Sequence, residues 1–410
     1  MAWVEFLNVK GGGMFKRRRA SFKRAHGLLQ QVKRAAFHLQ LGETVRPQKL
    51  TPLRLLQKLL LREVGRCERK IRRTKAFLKA ATDDDVRLEL EERIASFRHL
   101  AYNWRTFGDA IAFAYLDKFA LKHTHFNTHN LNAKQDAGFL IEKEGLVTEL
   151  AMLYGLLDRG VPALLADLTN TIRHGDICLL QGPDPKMIEV KAGELGPRGR
   201  RQRNAIRLLE AFFENDEAEG LRGLPRIQRR SPQRLEITHV PAMNQCIAAA
   251  RRAGGAWCSP EAGLYYLALA DERVPLDQTI GQIPLVKPMA FSLNEMKAGL
   301  AWTPYSPYTL SIEDEGALFE FIWGDLYLMV LWEIPDQWFL DDGTIYSVTP
   351  CDEESDYAFD VTAPDGSEIK LSKGMLQRIA LEFTSPEWIF LTAIEKIHGA
   401  GESKPASEAH

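Results

Sequence analysis

Apolar positions recur every three or four residues along several long stretches of the chain, a spacing that predicts amphipathic helices. Four such stretches come first: Met14–Leu41, Pro52–Ala81, the segment from Asp83 to Tyr102, and Trp104–His123. Further helices are predicted at 145–159, 199–215, 244–253, 313–323 and 375–383. Strands are predicted at 163–169, 173–180, 186–192, 234–240, 264–270, 326–332, 358–362 and 368–371. Residues 275–307 are rich in proline and are expected to be connecting structure.

One predicted hairpin carries three charged residues in otherwise apolar strands, with Asp176 in the first strand and Glu189 and Lys191 in the second. A turn centred on Gly182 and Pro183 places Asp176 opposite Glu189. Lys191 shares their face because every second side chain points the same way. Burying such charges is costly unless they pair or bind a metal. The trio is therefore either a structural salt bridge or a hard-oxygen site suited to Mg²⁺ or Mn²⁺.

The helices that flank this hairpin carry polar residues on faces that should be apolar. Glu149 lies at the edge of the leucine stripe of helix 145–159, and Gln202 lies one turn before Ile206 on helix 199–215. A basic first turn opposes the helix dipole and favours an anion such as phosphate at that end. The basic residues there are Arg198, Arg200, Arg201 and Arg203.

This order of elements resembles the αβββαβ core of the PD-(D/E)XK nuclease superfamily, including its Holliday-junction-resolvase-like members. The motif stands as Asp176 followed by Glu189-Val190-Lys191. The resemblance implies an α/β (α+β) restriction-endonuclease-like fold. It also implies that Asp176, Glu189, the carbonyl of Val190 and Glu149 hold Mg²⁺ or Mn²⁺. Lys191 would activate the attacking water, with Gln202 nearby.

One position departs from the pattern of the resolvase-like members. Cys178 stands where those members usually carry a second acidic residue. No core metal ligand is lost by this change, but the chain differs at this position from the resolvase-like members that it resembles.

A net charge of −1 conceals a strong asymmetry along the chain. Residues 1–80 hold 21 Lys and Arg against 4 Asp and Glu, an imbalance that suggests a polyanionic partner. Two basic helices are expected to grip a phosphate backbone, of DNA with RNA not excluded, or else to form a solvated basic face. The candidate contact residues are Arg17, Arg18, Arg19, Lys23, Arg24, Arg69, Arg72 and Arg73.

Cysteine usage and hydropathy indicate the compartment. The five cysteines are scattered with no CxxC pair, which favours a reducing, cytoplasmic setting. No apolar run approaches the 18 residues of a membrane span. The expected organisation is a basic helical region at 1–103, a nuclease-like core at 104–272, an acidic Trp-rich α+β domain at 273–400, and a disordered tail at 401–410.

These patterns together predict a Mg²⁺-dependent nuclease, a DNA endonuclease of a restriction, repair or anti-phage defence type. One alternative is a catalytically inactive nucleic-acid-binding module on the same fold. Another is an assembly subunit whose acidic C-terminal region forms a homodimer or recruits a partner protein.

Overall fold

The structure is a computed structural model that describes residues 17–43, 46–135, 138–190, 197–229, 234–340, 342–352 and 354–400. The fold is mixed α+β with several small antiparallel sheets. None of the helices in these described ranges combines the length and the apolar character that crossing a membrane requires.

The helices in chain order are α1 (Arg19–Gln40), α2 (Thr51–Ala80), α3 (Asp84–Tyr115), α4 (Lys118–Lys122), α5 (Leu146–Asp158), α6 (Pro197–Asn215), α7 (Val240–Ala253), α8 (Leu276–Ile280), α9 (Leu293–Ala298), α10 (Tyr308–Ser311), α11 (Glu315–Trp323), α12 (Lys373–Leu381) and α13 (Pro386–Ala400). The strands are β1 (Ala163–Leu165), β2 (Ile177–Leu179), β3 (Lys186–Ile188), β4 (Glu217–Glu219), β5 (Arg226–Gln228), β6 (Gly255–Glu261), β7 (Leu264–Leu269), β8 (Pro288–Ser292), β9 (Tyr327–Glu333), β10 (Gln337–Phe339), β11 (Ile345–Pro350), β12 (Tyr357–Thr362) and β13 (Glu368–Ser372).

The chain divides into two compact units, one of residues 1–230 with 300–324 and the other of 231–299 with 325–410. These bounds differ from the predicted boundaries at 103/104 and 272/273. A boundary at 103/104 would cut through the continuous helix α3. The basic helices and the three-stranded sheet therefore belong to the same unit.

Helix α3 joins the helix predicted at 83–102 to most of the one predicted at 104–123, whose last residues form the separate helix α4. The first turns of α3 are exposed, whereas the segment from Leu100 to Ala112 is almost entirely buried. The change in composition thus marks where the helix enters the core rather than where it ends. There Trp104 stacks on Phe22 of α1 with ring centroids 3.9 Å apart, so α1 and α3 share one core.

The first unit contains the predicted hairpin as part of an antiparallel sheet in the order β1-β2-β3. Its strands are shorter than predicted, and β1 gives way to a 3-10 turn at Ala166–Leu168. Helix α6 packs on this sheet because Ile206, Leu209 and Phe212 share a buried cluster with Met187 of β3.

The strand predicted at 234–240 is wrong. Thr238 forms only an isolated bridge with Thr384. Leu235 is 93% exposed, so this apolar residue of the segment does not pack against a sheet. Helix α7 begins at Val240 because Pro241 stands in its first turn, a position that suits proline.

The second unit contains two antiparallel sheets, in the orders β6-β7-β9-β8 and β10-β11-β12-β13. The hairpin predicted at 358–371 is present as β12 and β13. Residues 275–307 are more regular than expected, because β8 pairs with β9 between the short helices α8 and α9. The predicted tail at 401–410 lies outside the described residues.

Candidate active site

The β2–β3 hairpin has the register that the turn at Gly182 and Pro183 predicts. Ile177 pairs with Ile188 and Leu179 with Lys186, and Gly182 takes the positive φ of +92° that the turn requires. The regular ladder ends one residue before Asp176 and Glu189. The Asp176 amide there donates to the Ile188 carbonyl over 2.8 Å.

The side chain of Asp176 continues the pairing beyond the last regular strand residue. Its Oδ2 accepts a hydrogen bond of 2.8 Å from the Val190 amide. Its Oδ1 lies 2.7 Å from Nζ of Lys143. Asp176 is 6% exposed, so its carboxylate lies at the sheet edge with little access to water.

Lys143 brings together three carboxylates from separate elements. Its Nζ is 2.7 Å from Asp176 Oδ1, 2.9 Å from Asp167 Oδ2 and 3.0 Å from Glu149 Oε1. Asp167 follows β1, Asp176 precedes β2 and Glu149 lies in the first turn of α5. We call Lys143, Glu149, Asp167 and Asp176 the carboxylate cluster.

Helix α3 holds the chain between Asp167 and Asp176 in place. The Gly108 position allows direct contact, because a Cβ there would lie 1.9 Å from the Leu168 carbonyl oxygen. Asp109 Oδ1 accepts from the Asn170 and Thr171 amides at 2.8 and 2.9 Å, and its Oδ2 accepts from Asn170 Nδ2 at 2.8 Å. The loop that carries two of the three acids is therefore fixed by one turn of α3.

Further contacts fix the other side of the cluster. Arg105 of α3 donates to the Asp167 carbonyl over 3.0 Å and to Glu68 over 2.9 Å. The second Glu68 oxygen accepts from the Ile141 amide, two residues before Lys143. Gln57 of α2 pairs with the free edge of β1 through the carbonyl of Ala163. The geometry of the cluster is thus determined mainly by buried contacts from α2 and α3.

Asp109 is expected to make the stability of the first unit depend on pH. Burial raises the pKa of Asp109 from 3.8 to about 6, although hydrogen bonds from Thr171 and Asn170 lower it. A raised carboxyl pKa stabilises the folded state below pH of about 4, and this contribution, about 3 kcal/mol, is lost as pH rises to about 6. Urea unfolding should show that the free energy of unfolding falls less between pH 4 and pH 7 in Asp109→Asn than in wild type. Equal slopes in the two proteins would contradict this assignment.

The surroundings of the cluster raise the pKa of both Lys143 and Glu149, for different reasons. Burial lowers the pKa of Lys143, but the charges and hydrogen bonds of Asp167 and Asp176 raise it by more. The net pKa is therefore well above the usual value of a lysine. Burial raises the pKa of Glu149, only partly offset by its bond to Lys143. Lys143 is therefore a fixed cation at neutral pH, and Glu149 holds a proton more readily than an exposed glutamate does.

The predicted site residues are only partly brought together. Glu149 and Asp176 both contact Lys143, whereas Glu189 is half-buried one residue beyond the regular ladder. The amide of Val190 faces Asp176, and a role for its carbonyl stays a prediction. Gln202 is half-buried in α6, one turn before Ile206 as its spacing predicts. Lys191 lies outside the described residues.

Two members of the cluster were not predicted from the sequence, Lys143 and Asp167. Lys143 lies in the charged run Glu142-Lys143-Glu144 just before α5, a pattern that is typical of a solvent-exposed segment. Asp167 was included in the predicted strand 163–169, but the strand ends at Leu165 and Asp167 lies in the following 3-10 turn. The available signal was weak, namely an acid directly after the buried run Ala163–Ala166.

The donor atoms of the cluster are chemically suited to a hard divalent cation. Three carboxylate oxygens meet at one point, and the second oxygen of Glu149 is buried with no hydrogen-bond partner among described atoms. The distances from these oxygens to Lys143 Nζ are those of N–H···O hydrogen bonds. Mg²⁺ requires oxygens closer to it, at about 2.0–2.1 Å. In the described residues, no group of three or more acids, histidines or cysteines is arranged so that it could hold a metal ion. A metal ion would occupy the position of the ammonium.

The predicted nucleic-acid contacts lie mostly on the surface. Arg18 is half-buried and 3.8 Å from Glu63. The side chain of Arg198 is not described. The exposed residues of the set are Arg17, Arg19, Lys23, Arg24, Arg69, Arg72, Arg73, Arg200, Arg201 and Arg203.

Comparison with known proteins adds no relative. No protein-family model, no curated protein and no solved structure matches this chain.

Proposed function

We propose that this protein is a metal-dependent nuclease that hydrolyses phosphodiester bonds, with DNA as its substrate. One observation carries the proposal: Glu149, Asp167 and Asp176 converge within 3.0 Å of a single cationic point at the edge of a small antiparallel sheet. Converging carboxylates are the ligands that Mg²⁺ and Mn²⁺ prefer. The order α5, β1, β2, β3 and α6 supports a restriction-endonuclease-like core, although no strand follows at 234–240.

The proposed ligands of the ion are Asp176, Glu149 and Glu189 with the carbonyl of Val190, and the geometry adds Asp167. When bound, the ion lowers the pKa of a bound water and stabilises charge on the phosphate. Asp176 also orients the end of β3 through the Val190 amide. Lys191 is proposed to activate the attacking water, with Gln202 of α6 nearby.

The surface charge supports a polynucleotide substrate rather than a small phosphodiester. Helices α1 and α2 present exposed arginines and lysines, and the first turns of α6 add three exposed arginines. Lysines and arginines on a phosphate backbone release condensed counterions, which makes affinity fall with salt.

Cleavage assays test the proposal. Plasmid, linear duplex, single-stranded DNA and RNA are incubated with the full chain in Mg²⁺, Mn²⁺ or EDTA. We expect cleavage of DNA in either metal, none in EDTA, and a loss of at least about 100-fold in Glu149→Gln. The matched control is Glu144→Gln, an exposed acid just before α5. Absence of cleavage in both metals, or equal rates for the two variants, would contradict the proposal.

A second candidate function is a nucleic-acid-binding module without cleavage. The observation that favours it is the same set of bonds, since an ammonium spaced 2.7–3.0 Å from three acids also forms a complete salt bridge. This alternative predicts metal-independent DNA binding that is unchanged in Glu149→Gln and no strand scission in any metal.

The basic helices should account for part of the salt dependence of DNA binding. Arg72→Gln with Arg73→Gln removes two exposed charges of α2. We expect weaker binding to every sequence and a slope of log K against log salt that is smaller by about 1–2. The control is Arg252→Gln with Lys287→Gln, two exposed charges of the second unit. Fluorescence anisotropy at 50–200 mM salt measures DNA binding by both double variants. An unchanged slope in the Arg72 and Arg73 variant would mean that α2 is not part of the DNA interface.

A further inference from the structure

Lys143 uses all its hydrogen-bonding capacity inside the carboxylate cluster. A lysine ammonium has three N–H donors and no acceptor, and each of its three carboxylate neighbours lies within 3.0 Å. The side chain is nevertheless 30% exposed, so part of it already contacts solvent. Lys143 stands on the connection between a 3-10 turn at Leu140–Glu142 and α5, outside any regular element.

The cluster is short of positive charge. Glu149, Asp167 and Asp176 have side chains that are 2%, 10% and 8% exposed, and with Lys143 they sum to a formal charge of −2. Buried charge without a partner is costly, and the buried Oε2 of Glu149 has no hydrogen-bond partner among the described atoms. Replacing a +1 ammonium by a +2 ion halves the deficit and gives that oxygen a ligand position.

From these observations we propose that Lys143 is an internal cation that a divalent metal ion displaces. Without metal, the ammonium holds the three carboxylates together and prevents their repulsion. With metal, the carboxylates move inward from hydrogen-bonding to coordination distance, and the ammonium swings toward solvent. The inference builds on the proposed function, because the ion is the one that the nuclease site requires, and it makes Lys143 a competitor of that ion.

Displacement also changes what Lys143 can do. In the cluster its ammonium is held within 3.0 Å of three carboxylate oxygens, so the amine is engaged and shielded from an added reagent. Outside the cluster it is an ordinary surface lysine. The two positions differ in chemical reactivity, which provides a readout that does not depend on cleavage.

Metal binding by the full chain, without nucleic acid, tests the displacement. Mn²⁺ is titrated into wild type and Lys143→Met, and free ion is followed by its EPR signal. We expect the variant to bind Mn²⁺ at least about tenfold more tightly, because no tethered cation competes. Lys186→Met, an exposed lysine on β3 of the same sheet, should bind as wild type does. Equal affinity in wild type and Lys143→Met would overturn the proposal.

Wild-type protein provides a second test that does not require the variant to fold. Acetylation of lysines by an amine-reactive ester is followed by mass spectrometry with and without Mn²⁺. We expect Lys143 to react several-fold faster with Mn²⁺ present and Lys186 to react equally in both. Unchanged Lys143 reactivity at saturating Mn²⁺ would overturn the displacement. If Mn²⁺ exposes Lys143 but no polynucleotide is cut, the displacement stands and the nuclease proposal falls.

Discussion

Replacing Asp176 by asparagine is expected to lower the rate of metal-dependent DNA cleavage by at least about 100-fold. Asparagine preserves the size of the side chain but replaces one acceptor oxygen by an NH₂ donor. Both oxygens of Asp176 are in use, one with Lys143 Nζ at 2.7 Å and one with the Val190 amide at 2.8 Å. Either orientation of the amide therefore sets a donor against a donor, and the charge that attracts a metal is lost.

The matched control for this variant is Asp184→Asn. Asp184 lies in the turn of the same hairpin and pairs with Arg229 rather than with the cluster. Its variant should cleave within about twofold of wild type, since a partly exposed ion pair contributes little. Initial rates on one duplex in Mg²⁺ measure both. A wild-type rate in Asp176→Asn, or an equal loss in Asp184→Asn, would remove Asp176 from the chemistry.

Replacing Gly108 by alanine is expected to destabilise the first unit by about 3 kcal/mol or more. The added Cβ would lie 1.9 Å from the Leu168 carbonyl oxygen and 2.7 Å from its carbonyl carbon. These are backbone atoms, so the clash is relieved only by moving α3 away from the loop that joins Asp167 to Asp176. Cleavage should fall together with stability, because that movement displaces two acids of the cluster.

Gly155→Ala is the control for the glycine substitution. Gly155 lies within α5, and nothing stands within 4 Å of a Cβ built there. Alanine should stabilise this helix by about 0.5–1 kcal/mol. Urea unfolding followed by circular dichroism measures the free energy of unfolding for both variants. A Gly108→Ala protein as stable as wild type would mean that α3 does not clamp the loop.

The hairpin and its flanking helices could be predicted because their signals are local. Alternating apolar residues and the Gly182–Pro183 dipeptide set the register of β2 and β3, and the leucine spacing of 145–159 set α5. Glu149 was singled out because an acid at the edge of an apolar stripe is unusual. The resemblance to a nuclease core added the expectation that it joins Asp176.

The remaining features depend on contacts between distant parts of the chain. Lys143 meets Asp167 and Asp176 only because α3 fixes the loop between them, and no local pattern encodes this. Helix α13 was missed because nearly every described side chain from Pro386 to Ile394 is buried, so the segment has no polar face and no helical period. Helix α3 was divided because its composition changes where it enters the core.

The most direct test is a crystal of the full chain grown with Mn²⁺ and measured for anomalous scattering. We expect one peak at the present position of the Lys143 ammonium, with oxygens of Glu149, Asp167 and Asp176 within about 2.0–2.6 Å and the lysine turned toward solvent. A map without such a peak at saturating Mn²⁺, with Lys143 still bound to its three acids, would show that the cluster is a salt bridge and not a metal centre.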